Sequence, residues 1–192
     1  MKNRKRNRMV GYDYSRNNLY FVTSCVKNME CCFGDVVSVG IGRDLSVHSD
    51  KNNPDENESE MILNEYGIIA NNQLEWLEIQ YPYIELHSYK VMPNHIHAII
   101  EIDSLKVNSI HNTHTDQLDS ENIKIKSLSE IMGAYKTTSS KLIHQADYDA
   151  FAWHRSFHDH IIRDEKSYQN ILNYIENNPN CWGKDKFYKK IV

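Results

Sequence analysis

No stretch of this 192-residue chain approaches the roughly 18 consecutive apolar residues that a membrane-spanning helix requires. Its basic start, MKNRKRNRMVGYDYSRNN, lacks the apolar run of a secretory signal. A cytoplasmic protein with no membrane partner is expected. Cysteine is sparse: Cys25, Cys31, Cys32 and Cys181 form no C-x-x-C zinc pair, so free thiols are the expectation. Glycine and proline number seven and four, and no internal repeat is present, which leaves an ordinary globular chain rather than a fibrous or low-complexity one. An excess of positive charge is missing too. The net charge of −4 counts mildly against a nucleic-acid partner. Its distribution offsets that, because Lys2, Arg4, Lys5, Arg6 and Arg8 form a basic arm while much of the acid lies between Asp44 and Glu65. On charge alone the arm reads equally as a solvated tail or as a set of phosphate contacts.

The pattern along the chain is that of one α+β domain covering residues 1–192. Leu19–Val26 is aromatic and β-branched and reads as a strand, with a short second strand over Asp35–Gly40. A polar, acidic segment near 41–60 reads as a solvated, flexible insertion. From Met61 to about Gln80, apolar residues three to four apart predict one helical face, which Tyr81-Pro82 ends. Ile84–Val91 and Ile96–Ile102 flank Met92-Pro93-Asn94 and predict an antiparallel hairpin. A second flexible loop is expected near 103–126, then a helix over Leu128–Ile143 and a strand over Phe157–Ile162. Asp164 is a suitable N-cap for a last helix reaching about Asn177. This order predicts a ferredoxin-like antiparallel sheet with helices on one face and an extra C-terminal helix.

Chemistry is concentrated in two places. His95 and His97 stand two apart at the mouth of a strand, so both imidazoles project from one face and make half of a divalent-metal site. Tyr174 and Asn178 are four apart at a helix end and share a face, where an Asn178 amide oxygen could complete that site and bring the Tyr174 hydroxyl beside it. Tyr135 competes for the tyrosine role; Tyr12, Tyr14 and Tyr168 have less around them. Around Trp153 and Phe157, two packing aromatics, some of His154, Arg155, His158 and Arg163 are expected to line a phosphate-binding surface. A second metal pair at His158 and His160 stays open, and His111 and His114 read as solvated.

The run from Val91 to Ile100 around Pro93-Asn94-His95-Ile96-His97 resembles the His-hydrophobic-His motif of HUH endonucleases, above all the single-tyrosine transposases of bacterial insertion sequences and their REP-associated relatives. Trp153–Phe157 through Ile161–Glu165 resembles that family's tryptophan-to-arginine segment, and Tyr174–Pro179 its tyrosine helix. The first strand at Tyr20–Thr23 is similar as well, so the resemblance spans nearly the whole chain. It implies a ferredoxin-like fold and a homodimer, with Tyr174 as the nucleophile. His95, His97 and Asn178 are the implied ligands of Mg²⁺ or Mn²⁺. Single-stranded or hairpin DNA is the implied partner, contacted by the basic arm, Arg155 and Arg163, which would place the protein at the nucleoid. The acidic insertion and overall charge depart from a minimal member of the family. Two other readings remain: a DNA-binding protein without catalysis, and a metal-dependent phosphodiesterase in which Tyr174 only packs.

Overall fold

The aromatic and β-branched stretch after Asn17 forms an inner strand of the main sheet. In the computed structural model, which describes residues 9, 11–39, 58–107 and 124–188, this is β1 (Asn18–Cys25). The chain continues through a hairpin of β2 (Gly34–Val39) and β3 (Glu58–Leu63), helix α1 (Glu65–Gln80), then β4 (Ile84–Met92) and β5 (His95–Ile102). Helix α2 (Leu128–Gln145), strand β6 (His158–Ile162) and helix α3 (Glu165–Glu176) complete it. The sheet order is β4-β5-β1-β6, and every pairing is antiparallel. With α1 and α2 as the two crossovers, this is the ferredoxin-like plan, carrying β2–β3 as an insertion and α3 as an addition. The basic arm Lys2–Arg8 and the segments 40–57 and 108–123 lie outside the described residues.

Three sequence expectations need correction. Met61–Leu63 belong to β3 and not to the helix, because Asn64 breaks the chain direction: its side chain accepts a bond from the Gly67 amide at 3.0 Å and caps α1. Glu58–Glu60, expected in a solvated loop, pair with Val37–Val39. Their polar side chains face solvent, and the order comes from the backbone ladder, which composition does not display. The flexible stretch expected near 103–126 is also tied at both edges. Asp103 donates its amide to Tyr83, and Lys126 donates its amide to the Tyr83 hydroxyl. The other ends fall where local chemistry puts them. Ser127 and Glu130 form a reciprocal capping box on α2, and Asp164 caps α3 through the Ser167 amide at 2.8 Å.

Each face of the sheet has its own task. Tyr20 and Val22 of β1 and Ile96, Ala98, Ile100 and Ile102 of β5 point toward α1 and α2, forming the main core with Leu74, Leu77, Ile131 and Tyr135. The alternate residues, Leu19, Phe21 and Ile99, point the other way, toward Ile162 of β6 and Ile175 of α3. Period-two alternation therefore puts the imidazoles of β5 on the face that α3 covers.

Gly67, in the first turn of α1, lies against the loop before β2. A Cβ there would meet the Phe33 carbonyl oxygen at 2.1 Å. Helix propensity alone favours alanine by about 1 kcal/mol, but backbone cannot yield as a flexible side chain does. Gly67→Ala is therefore expected to destabilise the fold by about 1–3 kcal/mol, read as a lower Tm; a raised Tm would show that the loop gives way freely.

Candidate active site

Pro93-Asn94 turns β4 into β5, and the turn is held from three sides. Val26 donates its amide to the Asn94 carbonyl at 2.8 Å, Cys32 donates to Pro93 at 2.8 Å, and the Asn94 amide group donates to Phe187 at 2.9 Å. Asn94 is fully buried, and its Oδ1 faces His95 Nδ1 at 2.8 Å. Because the Asn94 nitrogen is committed to carbonyls, that oxygen is the acceptor and His95 Nδ1 carries the hydrogen. Nε2 of His95 is then a bare lone pair. His97 is held similarly, with Nδ1 2.8 Å from the Thr23 hydroxyl across the β1–β5 ladder. The two Nε2 atoms lie 2.9 Å apart. Two bonds of about 2.05 Å to one ion, at a right angle, would separate nitrogens by about 2.9 Å, so the pair fits neighbouring ligands of a single cation. Thr23 and Asn94 orient the rings as outer partners of metal-bound histidines do.

Helix α3 brings the tyrosine. Ile175 is buried against Ile99 and Ile162, which leaves Tyr174 beside it at the sheet mouth. Its hydroxyl lies 3.2 Å from His97 Nε2 and donates to Asp185 Oδ2 at 3.1 Å. Both imidazoles are 0% exposed and Tyr174 is 38% exposed, so the tyrosine stands between the sealed pair and solvent. Phe21 stacks on His97 at 5.3 Å, and Phe187 covers His95 at 4.7 Å. Burial drives the His95 pKa from 6.5 down to about 4, and holds His97 well below its ordinary value, with the neighbouring His95 adding to the shift. Burial, then the Asp185 charge, push the Tyr174 phenol up.

An unfolded imidazole takes up a proton near pH 6.5, which these folded ones resist. The unfolded chain binds more protons below that pH. The metal-free protein is therefore expected to lose stability as pH falls from about 6.5 toward 4. Thermal melts across that window check this; a flat Tm would mean the rings accept protons in place.

Of the residues expected from the sequence, the fold brings together His95, His97, Tyr174 and Asn178. The Asn178 amide group donates to Asp185 Oδ2 at 3.0 Å, while its own oxygen is buried without a hydrogen-bond partner. Asp185 is the residue that sequence reasoning missed. One carboxylate oxygen of Asp185 and a nitrogen of each histidine lie within 4.8 Å of one another. It follows a single turn of 3-10 helix at Trp182–Lys184, and no spacing rule connects it to the histidines. Arg155 and Arg163 are exposed but sit near opposite ends of β6, so they do not converge. His158 and His160 are exposed on the histidine face, where Thr23 pairs with both His97 and His158. Tyr135 is fully buried on the opposite face, donating to the Ala70 carbonyl at 3.2 Å. Tyr168 is bonded to His87 at 3.1 Å, and His87 in turn to Glu101 at 2.9 Å, which fastens α3 to the far end of the sheet.

No family model matches the chain. An uncharacterized protein of Haemophilus influenzae Rd is 29% identical over 184 residues, covering 94% of this chain and 91% of that protein. A solved structure of a REP-associated tyrosine transposase bound to a REP hairpin superposes with a TM-score of 0.51 at 16% identity, covering 97% of this chain and 77% of that one. The chain shares the fold of that structure. At that identity the likeness speaks to architecture, and the chemistry must be argued from the side chains themselves. Among the described residues no helix is long and apolar enough to cross a membrane.

Proposed function

We propose that this protein is a metal-dependent, single-tyrosine DNA transposase, which nicks single-stranded DNA at hairpin-flanked sites and rejoins the strand elsewhere. The observation that carries this reading is the Tyr174 hydroxyl, 3.2 Å from His97 Nε2 and beside the paired imidazoles of the same chain. The relative solved with a REP hairpin supports a DNA partner of that shape. A Mg²⁺ or Mn²⁺ ion held by His95, His97 and an oxygen from Asn178 or Asp185 would supply positive charge beside the scissile phosphate.

The chain's own residues do the rest. Tyr174 Oη gives up its proton as it attacks phosphorus, the P–O3′ bond breaks, and the 3′-oxygen takes a proton from water to leave as a hydroxyl. The phenolic proton has Asp185 Oδ2 as an acceptor 3.1 Å away. The 5′-phosphotyrosine keeps the phosphodiester energy, so a second 3′-hydroxyl can displace Tyr174 and seal the strand without ATP. The basic arm Lys2–Arg8, with Arg155 and Arg163, would contact phosphates on either side. Pairing into a homodimer would set two such sites side by side, although each Tyr174 already reaches His97 of its own chain. DNA binding of this kind would hold the protein at the nucleoid.

The test is incubation with labelled single-stranded hairpins and Mg²⁺ or Mn²⁺, followed by a denaturing gel. A labelled band at protein mass is expected. Cleaved oligonucleotide with no adduct would favour the phosphodiesterase reading, and tight binding with no cleavage the DNA-binding one.

A further inference from the structure

We propose that Asp185 is the third metal-binding side chain of this site, and that Asn178 holds it in position instead of ligating. This rests on the metal site of the proposed function and asks which atoms complete it. After α3 the chain turns at Pro179, makes one 3-10 turn at Trp182–Lys184, and returns over the histidines, where Phe187 packs on His95 at 4.7 Å. Asp185 is fixed within that return. Its Oδ1 accepts the Phe187 amide at 2.6 Å, and its Oδ2 accepts both Asn178 Nδ2 at 3.0 Å and the Tyr174 hydroxyl at 3.1 Å.

Asn178 and Asp185 therefore meet as donor and acceptor, and only Asp185 has an oxygen grouped with the histidine nitrogens. An ionised carboxylate 3.0 Å away requires a donor, so Asn178 turns its NH₂ to Asp185 and braces it, while its own oxygen is buried without a hydrogen-bond partner. The carboxylate brings a full negative charge. Oxygen and nitrogen ligands of one octahedral ion stand about 3 Å apart when adjacent and about 4.2 Å when opposite, given bonds near 2.1 Å. The Nε2 atoms are 2.9 Å apart, and the Asp185 oxygen is within 4.8 Å of the histidine nitrogens, so a small closing movement satisfies all three. The result would be a site of two imidazoles and one carboxylate, with the Tyr174 hydroxyl beside it.

The experiment measures Mn²⁺ affinity without DNA, by loss of the free-ion paramagnetic resonance signal. It compares the full chain with Asp185→Asn, Asn178→Ala, the double variant and His95→Ala; metal-free melts confirm that each is folded. Asp185→Asn keeps the shape and removes the charge, and is expected to weaken Mn²⁺ binding on the order of tenfold or more. Because Asn178 acts through Asp185, the double variant should bind no worse than Asp185→Asn alone. Wild-type affinity in Asp185→Asn, or losses that multiply in the double variant, would overturn the assignment and make Asn178 an independent ligand. If the unaltered protein binds Mn²⁺ no better than His95→Ala, the metal reading falls first and this one with it. Retained binding that needs His95 but not Asp185 rejects the assignment alone.

Discussion

Tyr174→Phe is expected to abolish the covalent protein–DNA adduct, with strand cleavage falling by about three orders of magnitude or more. Hairpin affinity should stay within about tenfold, since a single hydroxyl contributes roughly 0.5–1.5 kcal/mol. Phenylalanine keeps the ring that packs edge-on against Phe21 at 6.1 Å, so α3 stays docked and only the hydroxyl is removed. Adduct formation on a denaturing gel and hairpin binding by fluorescence anisotropy separate the two effects. Equal loss of both would make Tyr174 a packing residue. An adduct that persisted would require another nucleophile, and the geometry is unfavourable to the alternatives. Tyr135 is sealed on the opposite face against Ala70, and Tyr168 is bonded to His87.

Ile175→Ala should weaken the same reaction by a different route. Ile175 is the one α3 residue fully withdrawn from solvent among those described, and it meets Ile99 and Ile162 on the histidine face. Truncating a buried isoleucine costs about 2–5 kcal/mol. Here the cost falls on a short helix whose other ties include half-buried side chains, the Tyr168–His87 bond and the Tyr174 hydroxyl contacts to His97 and Asp185. The helix should loosen before the main core does, since Tyr20, Leu74 and Ile131 pack on the other face. Adduct yield is expected to fall at least tenfold, because a displacement of about 1 Å at a reacting group can cost some hundredfold. Mn²⁺ binding should fall less, since His95 and His97 lie on β5 and are oriented by Asn94 and Thr23. An unchanged adduct yield would show that α3 is positioned by its C-terminal return rather than by this contact.

Several features are legible in the sequence because they depend on residues that are neighbours along the chain. Alternation along β5 places His95 and His97 on one side and Ile96 on the other, and the Pro93-Asn94 turn shows up as a hairpin. Asp164 declares the start of α3 through its own side chain, and Tyr174 falls in its last turn, whereas Asn178, expected on the same helical face, lies past the C-cap Asn177 in the turn before Pro179. Strand β3 is hidden because Glu58–Leu63 is stabilised by a ladder to β2, whose bonds are backbone and leave no mark on composition. The bulge at His87, which turns that ring toward Tyr168, is likewise a property of the β4–β5 register.

By itself, then, the sequence determined the order of the elements other than β3 and the shared face of the two histidines, both set by local periodicity and capping, while the resemblance of Tyr174–Pro179 to a transposase motif raised Tyr174 as a candidate. Only the tertiary structure decided that α3 lies across that same face, that Tyr174 is the tyrosine within reach while Tyr135 is not, and that Asp185 joins them. Those outcomes depend on which apolar surfaces bury each other and on where the chain returns after Pro179. Such contacts join residues as far apart as Thr23, His97 and Tyr174, and no short-range pattern encodes them.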